Sequence, residues 1–195
     1  KIYCGIDYEL FKPQPQNLAL RKQLQLNKNE FVILFAGRPG VTKGVFLLVE
    51  AVRLIQNSKF KVQSDKIKFI LLLAKEPAKQ RREVERLIKK YHLEEHVLIL
   101  DSVPRLDLPK YFAVADAVIV PSLSEGFGFM AAETSAMNIP LIVSRIDSLP
   151  EVASGRLIFI DKLNSVGIVQ ALQQAYENKF LSIPLRKFLW THTIT

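Results

Sequence analysis

Residues 116–144 read DAVIVPSLSEGFGFMAAETSAMNIPLIVS. The apolar run Ala117–Val120 stops at Pro121-Ser122, a glycine-bearing turn follows, a helical pattern runs to Met137-Asn138, and a second apolar run begins at Ile139. Both runs are continuously apolar rather than alternating, as expected of parallel strands covered on both faces. The same unit recurs on either side. FVILFAG (Phe31–Gly37) precedes GVFLLVEAVRLIQ, KIKFILLLA precedes AKQRREVERLIKKY, HVLIL precedes LDLPKYFAVA, and GRLIFI precedes SVGIVQALQQAYENKF. Strands alternating with helices predict right-handed crossovers and a doubly wound α/β domain. The expectation is a Rossmann-like parallel sheet of about six strands with helices on both faces, whose ligand sits beyond the carboxyl ends of the strands.

The 195 residues are 49% apolar and 24% charged, with a net charge of +8. That composition excludes a disordered chain and suffices for a real core. No apolar run approaches the roughly 18 residues a spanning helix needs. The opening KIYCGIDYEL has no signal-peptide h-region, no initiator Met, and reads as if it continues from a preceding segment. Cys4 is the single cysteine and has no partner for an internal disulfide, which fits a cytoplasmic setting. Residues 1–20 read as a segment leading in from an N-terminal domain, with Lys12–Gln16 extended, and residues 21–180 as the ligand-binding domain. Residues 181–195 read as a helix carrying Leu185, Phe188, Leu189 and Trp190 that docks on that other domain. The basic residues are dispersed apart from Lys79–Arg82 and Lys89–Lys90, and none interleave with aromatics. Solvated helix faces explain them better than a nucleic-acid surface, and attraction to an anionic membrane surface is a further expectation.

Two strand-to-helix loops carry anion-binding features. In PSLSEGFGFMAAE (Pro121–Glu133), Gly126 and Gly128 allow backbone to approach a ligand. The unpaired N–H groups and dipole of the following helix favour a phosphate there. Glu125 and Glu133 are eight residues apart, so a helical reading brings both carboxylates toward one ligand. Carboxylates beside a phosphate site suit sugar hydroxyls, from which they accept hydrogen bonds. In GRPGVTKG (Gly37–Gly44), Arg38 offers a planar fork and Lys43 a point charge to phosphate, although the loop is not a Walker A sequence. Read singly, each of these residues is equally a helix-end charge or a solvated cation. Together they describe a nucleotide-sugar site.

The chain resembles the C-terminal, donor-binding domain of retaining GT-B glycosyltransferases of family 4, or group 1. The resemblance rests on Gly5-Ile6-Asp7 with Phe11 and Pro13, on Gly37-Arg38-x4-Lys43-Gly44, on LDLPKYFAVADAVIVPS, on the E-x7-E element of EGFGFMAAE, and on IPLIVSRIDSLPE. It implies that Arg38 and Lys43 bind the donor diphosphate, that Glu125 accepts hydroxyls of the donor sugar, and that Glu133 holds the ribose. It also implies that Gly37, Gly126, Phe127, Gly128 and Phe129 line the donor site with backbone. The implied reaction moves a sugar from a nucleotide diphosphate to a glycan, lipid-linked or polysaccharide acceptor with retained configuration. No cofactor is implied and no Asp-x-Asp stands ready for a metal. Two segments depart from the family pattern: Ala74-Lys75-Glu76-Pro77 replaces a Gly-x-Gly element, and Asp147-Ser148-Leu149 replaces a glycine-containing turn. The fragment by itself is not expected to complete a transfer.

Three rival readings remain. Gly126-x-Gly128-x-x-Ala131, with Asp147 about twenty residues on, satisfies a dinucleotide fingerprint, but falls late in the chain instead of in the first βαβ unit. His92-x-x-Glu95-His96 fits an inverted zinc-protease pattern, but the helical pattern ends near Tyr91–Leu93 and His96 begins the strand HVLIL. A nucleotide-sugar epimerase of the same architecture shares the ligand but not the reaction.

Overall fold

Val32 and Leu34 lie in one hydrophobic core and Ile33 and Phe35 in another, and all four are buried. This explains the continuous apolar runs: successive side chains leave opposite faces of the sheet, and both faces are covered. The computed structural model describes residues 4–57 and 66–189. In chain order it contains α1 (Leu18–Gln23), β1 (Phe31–Gly37), a 3-10 turn (Val41–Lys43), α2 (Val45–Asn57), β2 (Ile67–Leu73), α3 (Ala78–Lys90), β3 (Val97–Asp101), α4 (Leu108–Phe112), β4 (Ala117–Val120), α5 (Phe129–Ala136), β5 (Leu141–Ser144), α6 (Leu149–Val152), β6 (Gly155–Ile160), α7 (Ser165–Tyr176) and β7 (Leu181–Ile183).

The sheet order is β3-β2-β1-β4-β5-β6-β7. The first six are parallel, and β7 pairs antiparallel with β6 through Gly155↔Ile183 and Leu157↔Leu181. Helices α2, α3 and α7 cover one face with Leu48, Val84 and Leu172, and α4, α5 and α6 cover the other with Phe112, Ala131 and Leu149. Ile6 and Phe11 of the leading segment are buried in this second core. At the amino ends of the strands Arg21 is 5% exposed; it donates to Glu30 O at 2.7 Å and pairs with Asp116, which in turn accepts from Val32 N at 2.7 Å.

The expected sheet of about six parallel strands is present, extended among the described residues by one antiparallel edge strand. One expectation is corrected. Residues 181–189 are not helical: Leu181–Ile183 form the edge strand, and residues 184–189 carry no helix. Proline at 184 biases Ile183 toward extended backbone, and β6 offers an open edge to pair with. Phe188 turns inward, its N–H donating to Tyr8 Oη at 2.7 Å and its carbonyl accepting from Ile6 N at 2.8 Å. Trp190 and the rest of the expected helix, residues 190–195, lie outside the described residues.

The sheet order reverses between β1 and β4, where a doubly wound sheet opens its crevice. The loops leaving these strands are locked together. Leu123 N donates to Thr42 O at 2.7 Å. Gly44 has φ +71°, and a Cβ there would lie 1.9 Å from Pro121 O. Gly44→Ala therefore combines left-handed strain with a backbone clash and is expected to destabilise the chain by about 2–4 kcal/mol in urea unfolding. A loss under about 0.5 kcal/mol would show that the two loops are not in obligatory contact.

Candidate functional site at the carboxyl ends of β1 and β4

Two adjoining hollows open at the switch point. One, of about 170 Å³, is lined by Gly37, Lys43, Ser122, Glu125 and Phe129 among others. The second, of about 280 Å³, runs toward β2 and β3 and is lined by Arg38, Ala74, Ser102 and Val103. They share Ala36, Gly37 and Met130, so they form one crevice. Arg38 is exposed at its rim, with no ion-pair partner among the described residues.

Lys43 and Glu125, 82 positions apart, meet inside this crevice. Lys43 Nζ donates to Glu125 Oε1 at 2.7 Å, and Ser122 Oγ donates to the same oxygen at 2.8 Å. The Glu125 side chain is 11% exposed. Its backbone N–H donates to Asp147 Oδ2 at 2.9 Å, and Ser148 Oγ donates to Phe127 O at 2.8 Å. The turn that departs from the family pattern thus braces the glycine loop from outside. Asp147 itself has φ +45°, a conformation glycine adopts freely and Asp tolerates.

The glycines of this loop are unequal. Gly128 caps α5 with φ +93°, and a Cβ would come 2.7 Å from Leu149 Cδ2. Gly126 has open space where a side chain would stand. The Phe127 ring packs edge-on against Phe129 and Phe188, with centroids 5.0 and 5.4 Å away.

Glu133 lines neither hollow and shares no helix face with Glu125, because Glu125 precedes the first residue of α5. The separation of eight is real, but half of it is loop. Glu133 sits in the second turn of α5, 3% exposed. Arg105 NH1, from the β3–α4 loop, approaches Glu133 Oε1 to 2.7 Å as an ion pair. No other donor among the described residues reaches this buried oxygen. Burial pushes the Glu133 carboxyl above the ordinary glutamate range, and the Arg105 charge partly offsets the rise. Arg105 was not singled out by sequence. It stands in a loop after a strand, where ligands are expected, but no spacing rule connects it to Glu133.

The remaining motifs separate from this site. His92 has φ +55° just past α3, and β3 starts at Val97, so His92 and His96 share no helix. No cluster of three or more His, Cys, Asp or Glu suited to a metal occurs among the described residues. No helix among them is long and apolar enough to cross a membrane.

Because the folded Glu133 carboxyl holds its proton more tightly than the unfolded one, the folded state binds more protons between the two values. Stability from this group is fullest below the unfolded value, about 4.3, and is lost as pH rises through the folded value. The melting temperature of the native chain minus that of Glu133→Gln is expected to fall across that window. Parallel curves would show that Arg105 cancels the effect of burial.

The sequence matches the model of the glycosyl transferases group 1 family over residues 16–187. A D-inositol 3-phosphate glycosyltransferase of Xylanimonas cellulosilytica is 30% identical over 168 residues, covering 83% of this chain and 37% of the relative. Sucrose-phosphate synthase from Thermosynechococcus elongatus superposes with TM-score 0.76 at 26% identity, over 91% of this chain and 43% of that one. HepE of Anabaena, solved in complex with UDP and glucose, has the same fold, with TM-score 0.76 at 22% identity over 91% of this chain and 47% of that one. The chain thus spans less than half the length of each of these proteins. With its seven-stranded open sheet and its crevice at the β1–β4 switch point, it belongs to the group 1 glycosyl transferases and has the fold of the C-terminal half of a GT-B enzyme.

Proposed function

We propose that this chain is the nucleotide-sugar site of a retaining glycosyltransferase, which as a whole protein transfers a sugar to an acceptor hydroxyl. The observation that carries the reading is the convergence of Arg38, Lys43 and Glu125 on one crevice. Without ligand, Lys43 and Glu125 neutralise each other. A donor diphosphate competes for Lys43 and recruits Arg38, since charge-assisted contacts to phosphate are strong in a partly desolvated cleft. Glu125 Oε1 is then released to accept a hydroxyl of the sugar, while Ser122 and Asp147 keep the loop in place. As the glycosidic bond breaks, negative charge grows on the diphosphate, and the two cations and the amino end of α5 stabilise it. Glu133 accepts from the vicinal hydroxyls of the nucleoside. The solved relative holding UDP and glucose supports a nucleoside diphosphate donor. On this reading the site uses no resident cofactor. The acceptor is a glycan, lipid-linked or polysaccharide hydroxyl brought by an N-terminal domain. The whole protein acts in the cytoplasm, with the +8 charge favouring peripheral contact with an anionic membrane face.

The test is calorimetric titration and thermal shift with UDP, GDP, ADP and NAD. One nucleoside diphosphate is expected to bind. At a hundredfold excess over Kd it stabilises the fold by about 2.7 kcal/mol. Arg38→Ala and Lys43→Ala each weaken it by about tenfold or more, most strongly at low salt. Binding of NAD alone, or affinity untouched by either substitution, overturns the reading.

A further inference from the structure

Glu133 is an unusual acceptor. At 3% exposure its carboxylate is stripped of water, and an isolated buried charge reverts to its neutral form. A neutral carboxyl donates one hydrogen bond and accepts poorly, which is the wrong group for two hydroxyls. What keeps it charged must lie close by. Helix α5 packs against β4, β5 and α6. Strands β4 (AVIV) and β5 (LIVS) carry no titratable side chain, and Glu151 on α6 is exposed. Lys43 in the crevice is paired with Glu125, Lys110 on α4 is paired with Asp107, and Arg38 stands exposed at the crevice rim. The cation in contact with Glu133 is Arg105, at 2.7 Å.

Arg105 is itself held in place. Its guanidinium lies over the ring of Phe11, 5.0 Å from the centroid, and Phe11 is fully buried with the Phe112 ring tilted against it, centroids 6.2 Å apart. Half of the Arg105 side chain stays in water while its tip reaches into the protein. That suits arginine, whose planar, weakly hydrated cation stacks on aromatic rings and enters low-dielectric sites more readily than an ammonium. The leading segment therefore positions a cation that the second turn of α5 requires.

We propose that Arg105 is the positioning residue of this site, acting through Glu133: it holds the buried carboxylate ionised and oriented for the nucleoside hydroxyls without touching the substrate. The inference rests on the reading of Glu133 as the ribose acceptor.

Two measurements on the 195-residue chain test it. The first needs no ligand: the Glu133 carboxyl is titrated by 13C NMR, its signal assigned by loss in Glu133→Gln. Arg105→Met is expected to raise the midpoint by about one pH unit or more, and Arg105→Lys by less. An unchanged midpoint in a folded Arg105→Met chain overturns the inference. The second is titration with UDP, GDP and ADP, carrying the tightest forward. In Arg105→Met its Kd rises about tenfold near pH 6 and recovers to within about threefold near pH 8, with Arg105→Lys restoring most of the loss. A loss equal at every pH overturns the inference, because it means direct contact with the nucleotide or general damage. If the native chain binds none of the three, the donor-site reading fails, and the carboxyl titration still decides whether Arg105 governs Glu133.

Discussion

No side chain fits at position 44, where a Cβ would stand 1.9 Å from the Pro121 carbonyl oxygen. That close approach brings the loop after β1 against the loop after β4, across the point where the sheet reverses its order. The adjacent Leu123–Thr42 hydrogen bond fixes the register of the two loops. The crevice and its Lys43–Glu125 pair follow from this contact. It sets Lys43 beside Glu125, aligns two hollows into one crevice, and points the amino end of α5 at the space between them. A glycine beside a lysine is therefore a packing requirement as much as a sequence motif.

The site holds its charges by pairing them. Lys43 balances Glu125 at the mouth, and Arg105 balances Glu133 within. Each pair is short and partly or wholly removed from water, where an unpaired charge costs several kcal/mol. The two pairs are built differently. The first lies between loops that are themselves hydrogen-bonded, and its carboxylate has a second donor in Ser122. The second joins an exposed arginine to a buried acid, and no other donor among the described residues reaches that acid's Oε1. The first is arranged to exchange partners, and the second to keep one.

Substitutions that break the family pattern turn out to have local partners. Asp147 adopts the left-handed conformation a glycine would supply and adds a carboxylate that accepts from Glu125 N. Ser148 donates to Phe127 O. Ala74 lines the second hollow, where its methyl group occupies space a glycine would leave open. On the far side of the same loop Phe127 meets Phe188, so the segments at both ends of the described chain, through Tyr8 and Ile6, press on the loop that carries Glu125.

The layered fold was legible in the sequence because burial on both faces of a parallel sheet leaves a direct trace, the short continuous apolar runs, and six of these runs became six strands. Candidate residues on single loops were legible for a similar reason, since glycines and charges at a strand-to-helix turn carry their own local chemistry. The edge strand was not, because Leu181-Ser182-Ile183 is short and exposed, and its identity comes from pairing with β6 rather than from any pattern of its own. Nor were the pairings that give the site its character. Lys43 meets Glu125 over 82 positions and Arg105 meets Glu133 over 28, and the burial that makes Glu133 need a cation exists only once α5 is packed. Sequence by itself determined the six parallel strands, the main helices between them and which loops carry charge, since those are properties of neighbours along the chain. Tertiary structure alone decided which charges face each other and how dry they are, since desolvation belongs to the packed interior and not to any residue.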